Sequence, residues 1–140
     1  VALRWTSALS LGVPELDAAH QELFRRFDRL LDAMLQNERG EALQLIAFLR
    51  DYVVNHFGAE ERLMQELQYP EMQHHVEEHR AFAAALKEID ASFLEEGPTA
   101  MLVLQLEERA VNWLRDHVYF TDVSLGRFVL SRRPTVARPA

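Results

Sequence analysis

Apolar residues along this chain recur at steps of three and four, in four stretches separated by glycine and proline. Within 15–37 the recurring positions are His20, Phe24, Phe27, Leu31 and Met34, one face of a helix. Within 41–67 they are Leu45, Leu49, Val53, His56, Glu60, Leu63 and Leu67, with Met64 beside Leu63. Within 71–94 they are Met72, His75, His79, Phe82, Leu86, Ile89 and Phe93. A fourth stretch opens near Thr99 and carries Leu102, Leu106, Ala110, Trp113 and His117. Gly40, Pro70 and the Gly97-Pro98 pair lie between them, and no period-two alternation or Asn-Gly turn suggests a strand. Short connections make neighbouring helices antiparallel. The pattern therefore predicts an all-α protein, an up-down-up-down four-helix bundle with an N-terminal arm and a short C-terminal extension.

Local signals agree with these boundaries. Pro14-Glu15 or Asp17 can open the first helix, Gly97-Pro98 ends the third, and Thr99 can cap the fourth. The arm, 1–14, has no helical period, and Trp5 and Leu9 are expected to pack it against the bundle. We take 1–140 as a single domain: the arm, a bundle core over 15–117, a segment over 118–131, and a frayed tail over 132–140 with two prolines.

Composition narrows the chemistry. The chain has 140 residues and no cysteine, so disulfides, thiolate metal sites and cysteine nucleophiles are excluded. A formal net charge of −7 argues against nucleic acid as a partner. No apolar run approaches the roughly 18 residues that cross a bilayer, which argues against a membrane role. The first ten residues are too polar for a signal peptide, with Arg4 the one cation; a cytoplasmic protein is the expectation.

The unusual feature is polar. Five histidines and a glutamate interrupt the apolar stripes: His20, His56, Glu60, His75, His79 and His117. Buried bare, each charge would cost several kcal/mol. His56 and Glu60, and His75 and His79, are four residues apart, so each pair leaves one helix face about 400° on, one turn along. That spacing lets one helix chelate one metal or a metal pair. His117 and Asp122 are five apart, about 500°, and diverge by some 140°. They converge only if the helix ends or loosens between them, over Val118 to Thr121, which makes 118–131 the segment that completes the site. Imidazole and carboxylate without thiolate suit iron, manganese, zinc or copper. Seven donors are too many for one tetrahedral zinc. They suit two octahedral ions, iron above all, bridged by two carboxylates and a shared oxygen, with one position left for a small ligand.

In order along the chain, "AAHQELF", "HFGAEE", "HVEEH" and "HVYFTD" resemble the ligand pattern of the bacterial hemerythrins. "W…LGVPELDAAH" also resembles that family's N-terminal arm, and the likeness spans about 5–128. The resemblance implies two iron ions, Fe2+ or Fe3+, bridged by oxo or hydroxo. It places His75, His79 and His117 on one iron and His20 and His56 on the other, with Glu60 and Asp122 bridging them. O2 would be taken up at the two-histidine iron, and NO or small anions such as azide are further ligands it suggests. Ala19 stands where a polar residue is more usual, which bears on O2 affinity and not on the metals.

The leading expectation is a binding protein, with no catalytic residues, that holds O2 reversibly for transport, storage or sensing. The alternatives are a diiron oxidase, peroxidase or nitric-oxide-handling enzyme, or a sensory module of a larger signalling protein. The pair of Glu-x-x-His motifs typical of carboxylate-rich diiron oxidases is absent. His74 points about 100° off the inner face and belongs on the surface or behind the ligands. Glu61, Glu77 and Glu78 fall off the stripe and read as solvated face. Tyr119 either approaches the site or covers the bundle end, and Arg132-Arg133 reads as a solvated terminus.

Overall fold

The computed structural model describes residues 4–133. After a short 3-10 turn at Ser7–Leu9 come α1 (Pro14–Leu35), α2 (Arg39–Glu66) and α3 (Met72–Glu96). The fourth rod is continuous but not uniform. It comprises α4 (Ala100–Leu106), a π-helical turn (Glu107–Val111), α5 (Asn112–Asp116), a second π-helical turn (His117–Asp122) and α6 (Val123–Arg132). Among the described residues there is no strand, and no helix is long and apolar enough to cross a membrane. The architecture is the all-α helical bundle that the periodicity predicts.

The ends of the helices follow local chemistry. Pro14 occupies the first turn of α1, where its missing N–H costs nothing. Asp17 does not cap α1. Its carboxylate instead accepts from the backbone N–H of Leu11 at 2.8 Å and from Ser10 Oγ at 2.6 Å, tying the arm to the helix. Thr99 Oγ1 accepts from the Leu102 N–H at 3.1 Å and caps the fourth rod. Gly97 ends α3 with φ 77°, a conformation that favours glycine.

The helix stripes close on one another. Phe24, Phe27, Leu49, Phe82, Ile89, Phe93, Leu106 and Leu114 are all buried, each contributing roughly 1.5–3 kcal/mol. In α2, Met64 takes the fully buried place, and Leu63 and Leu67 only flank it.

The fourth rod departs most from the sequence reading. It does not stop near His117 but runs through α6, because Leu125, Gly126 and Val129 are buried there. The arm explains this. Leu9, Leu11 and Val13 are buried, and Leu11 lies so close to Gly126 that a Cβ added there would stand 2.7 Å from the Leu11 Cβ. Arg133 pairs with Glu15, and the Arg132 guanidinium lies over Phe128. Both arginines remain exposed, as expected, while making these contacts. Of the expected tail, 134–140 lie outside the described residues, as do 1–3 of the arm.

Candidate metal centre

Antiparallel packing brings the start of α1, the end of α2, the start of α3 and the late part of the fourth rod to one end of the bundle. All seven expected donors lie on these stretches, and all are buried: His20, His56, Glu60, His75, His79, His117 and Asp122. The structure gathers their side chains into two groups, one containing Glu60, His75, His79, His117 and Asp122 and the other His20, His56 and Glu60.

The second π-turn brings in the seventh donor. The Val123 N–H bonds to the Val118 carbonyl, five residues back. With i→i+5 bonding, residues five apart come nearly over one another, as residues four apart do in an α-helix. His117 and Asp122 thus converge, with His117 Nε2 lying 3.2 Å from Asp122 Oδ1. The helix loosens between them and continues.

Each carboxylate is shared between two sets of imidazoles. Glu60 Oε1 lies 3.1 Å from His75 Nε2 and 3.0 Å from His79 Nε2. Its other oxygen, Oε2, lies 3.2 Å from His20 Nε2 and 2.8 Å from His56 Nε2. Asp122 divides in the same way: Oδ1 lies 2.9 Å from His75 Nε2, and Oδ2 lies 3.1 Å from His20 Nε2.

Electrostatics hold protons in this cluster when no metal is bound. Burial disfavours a charged imidazole, but contacts with Asp122 and Glu60 outweigh it and raise both His20 and His75 to about 9. His117 is opposed by burial and raised by Asp122, with Glu78 assisting, to about 10. Burial pushes Glu60 up, but His56, His20 and His75 hold its carboxyl well below the usual range. Asp122 is likewise held low by His117 and His20, against its burial and the charge of Glu60.

Yet the protons do not satisfy the site. His56 Nε2, His117 Nε2 and Asp122 Oδ1 are buried and make no hydrogen bond. Such atoms ordinarily cost about 1–3 kcal/mol each. A cation among them would use the lone pairs that protons leave misdirected, so the donor set fits two metal ions.

A ring of supporting contacts surrounds the donors. His79 Nδ1 donates to Glu61 Oε2 at 2.9 Å, and His117 Nδ1 donates to Glu78 Oε1 at 2.8 Å. Each bond turns Nε2 toward the centre. Glu78 also accepts from Thr121 Oγ1 at 2.9 Å and lies 2.7 Å from His74 Nε2. The bond from His117 holds Glu78 at about 2 despite partial burial. Glu61 and Glu78 are therefore working partners of the site rather than the solvated face expected, whereas Glu77 is exposed as expected. His74 is 67% exposed and pairs with Glu78. Aromatic walls complete the arrangement. Trp113 stacks on His117 with ring centroids 4.6 Å apart, and Phe82 stacks on Trp113 at 4.4 Å. Tyr119 is half exposed and packs against Phe120 rather than the donors.

Fold and site together define a helical bundle with a buried histidine-carboxylate centre able to hold cations. Residues 11–126 match the hemerythrin HHE cation binding domain, and the chain belongs to the hemerythrin family. It is 30% identical over 103 residues to the bacteriohemerythrin of Aquifex aeolicus, covering 74% of this chain and 79% of that protein. It is 29% identical over 125 residues to that of Methylococcus capsulatus, covering 89% and 94%. It is 27% identical over 120 residues to that of Stenotrophomonas maltophilia, covering 86% and 76%.

Proposed function

We propose that this chain binds O2 reversibly at a non-heme diiron centre, as a carrier, store or sensor and not as an enzyme. The observation that supports the reading is the division of Glu60 and Asp122. Each turns one oxygen toward His75 and the three-histidine set and the other toward the side of His20. Two bridging carboxylates between two unequal sets of imidazoles are what a pair of unlike iron sites needs.

In this reading His75, His79 and His117 would hold one iron and His20 and His56 the other, with Glu60 and Asp122 shared between the two sets. The His20 and His56 side has one imidazole fewer, so it leaves room for the incoming ligand. Two ferrous ions, one in each set, would supply the electrons that O2 takes on binding and returns on release. The protein's part is positional. Glu61 and Glu78 fix the tautomers of His79 and His117, so that Nε2 faces inward. Phe57 and Trp113 cover the outer faces of those two rings and keep water from them. The family membership, and the bacteriohemerythrin names of the relatives, agree with this function.

Anaerobic titration with Fe(II) tests the assignment. Binding is expected to saturate near two ions per chain, with Glu60→Ala unable to hold the pair. Saturation at one ion, or a single tetrahedral site that prefers zinc, contradicts it.

A further inference from the structure

The seventh donor depends on a piece of backbone that an ordinary helix would not form. Asp122 reaches the cluster because the chain from His117 to Asp122 is π-helical. In α geometry it would point some 140° away from His117. A π-turn is rare and less favourable than the α-helix around it, so something must hold it open.

Glu78 on α3 sits where such a clasp is needed. Its Oε1 accepts from His117 Nδ1 at 2.8 Å, at the first residue of the turn. The same oxygen accepts from Thr121 Oγ1 at 2.9 Å, with Oε2 at 3.1 Å from that hydroxyl, at the residue just before Asp122. One carboxylate on a neighbouring helix thus grips the π-turn near both ends. The Thr121 hydroxyl shares the Glu78 oxygen that receives His117 Nδ1, but makes no bond to an imidazole itself. Its geometric effect falls on the backbone that carries Asp122.

We propose that Glu78 and Thr121 form a clasp that fixes the register of this π-turn, and that Thr121 is a positioning residue acting on the metals only through Asp122. The metal consequence rests on the diiron reading above; the backbone consequence does not. His74 braces the clasp from outside, since its Nε2 lies 2.7 Å from Glu78 Oε2.

Thr121→Val and Thr121→Ser separate the hydroxyl from the packing, and both leave the donor and acceptor of the bond from His117 to Glu78 in place. In metal-free protein, the hydrogen exchange of the Val123 amide reports how often its bond to Val118 opens. Thr121→Val is expected to speed that exchange about tenfold relative to core amides of α1 and α2, with Thr121→Ser close to the parent protein. In Fe(II) titrations Thr121→Val is expected to weaken the second ion about tenfold, within the range typical of outer-shell partners. In an Asp122→Ala background the same change is expected to add nothing, since residues acting through one another are not additive. An unchanged Val123 amide in Thr121→Val overturns the clasp, and so does equal damage from valine and serine. A full additive loss in the Asp122→Ala background overturns the route through Asp122. If the parent protein fails to bind two ions, the diiron reading falls while the exchange experiment still decides the clasp.

Discussion

The ring of Phe57 lies flat against that of His79, with centroids 3.8 Å apart and planes within 5°. The contact joins the apolar core to the metal-type cluster, because Phe57 also meets Phe82 edge-on at 5.8 Å. Phe57→Ala is expected to destabilise the fold by about 3–5 kcal/mol, as large-to-small changes in a core do. It should also open the His79 ring to water and speed irreversible oxidation of the iron-loaded protein. Denaturant melts and the decay of the visible spectrum in air measure the two effects. A variant as stable and as slow to oxidise as the parent would show that Phe57 is ordinary packing at the surface of the site.

His74 and His75 are adjacent in sequence and opposite in role. His75 is buried between Glu60 and Asp122, while His74 is 67% exposed and bonded to Glu78. His75→Ala is expected to lose at least one metal ion per chain. His74→Ala should keep both. Metal analysis of the two purified variants checks this, and loss of metal from His74→Ala would contradict the register of α3.

Metal-free protein should respond to pH with a definite sign. His20 and His75 stand at about 9 and His117 at about 10, above an ordinary 6.5. A raised folded value means the charged imidazoles stabilise the fold fully below about pH 6.5, and that this contribution is lost as pH rises through 9 to 10. Glu60 and Asp122 are depressed below their ordinary 4.5 and 3.8. Their contribution is present above those values and is lost on acidification. The melting temperature of the metal-free protein is therefore expected to fall between about pH 6.5 and pH 9.5. Iron-loaded protein should show a flatter profile, since a nitrogen bound to iron is not free to titrate. A metal-free melting temperature that holds steady or rises across that window contradicts the assigned charges.

Removing metal should also lower stability outright. Without cations, His56 Nε2, His117 Nε2 and Asp122 Oδ1 remain buried and unbonded. Calorimetry is expected to place the metal-free melting temperature below that of the iron form at neutral pH. Equal temperatures would mean that metal does not engage these atoms.

Helix period was enough to place most of this architecture and to face six of the seven clustered side chains inward. His20, His56, Glu60, His75, His79 and His117 interrupt stripes whose other members must be buried, so their facing follows from spacing alone. Asp122 was legible only conditionally, because no residue in "HVYFTD" announces a π-turn; the turn depends on contacts from α3. Glu61 and Glu78 were misread for a related reason. Each sits one residue from a donor, about 100° round its helix, and whether that direction meets water or a neighbouring helix is a tertiary fact. A general rule could have found them, since a ligating imidazole usually donates its second N–H to a carboxylate. His74, four residues before Glu78, was a further hint. The continuation of the fourth rod was hidden because Gly126, on its buried side, packs against Leu11 of the arm, which has no period of its own.

Reversible O2 binding is read from the visible spectrum of iron-loaded protein cycled between air and argon, with iron measured in the same sample. Reversible binding at a diiron centre gives about two irons per chain and a charge-transfer band that appears in air, vanishes under argon and returns in air over repeated cycles. A band that decays in air and does not return would contradict reversible O2 binding and point to an oxidase on the same seven residues.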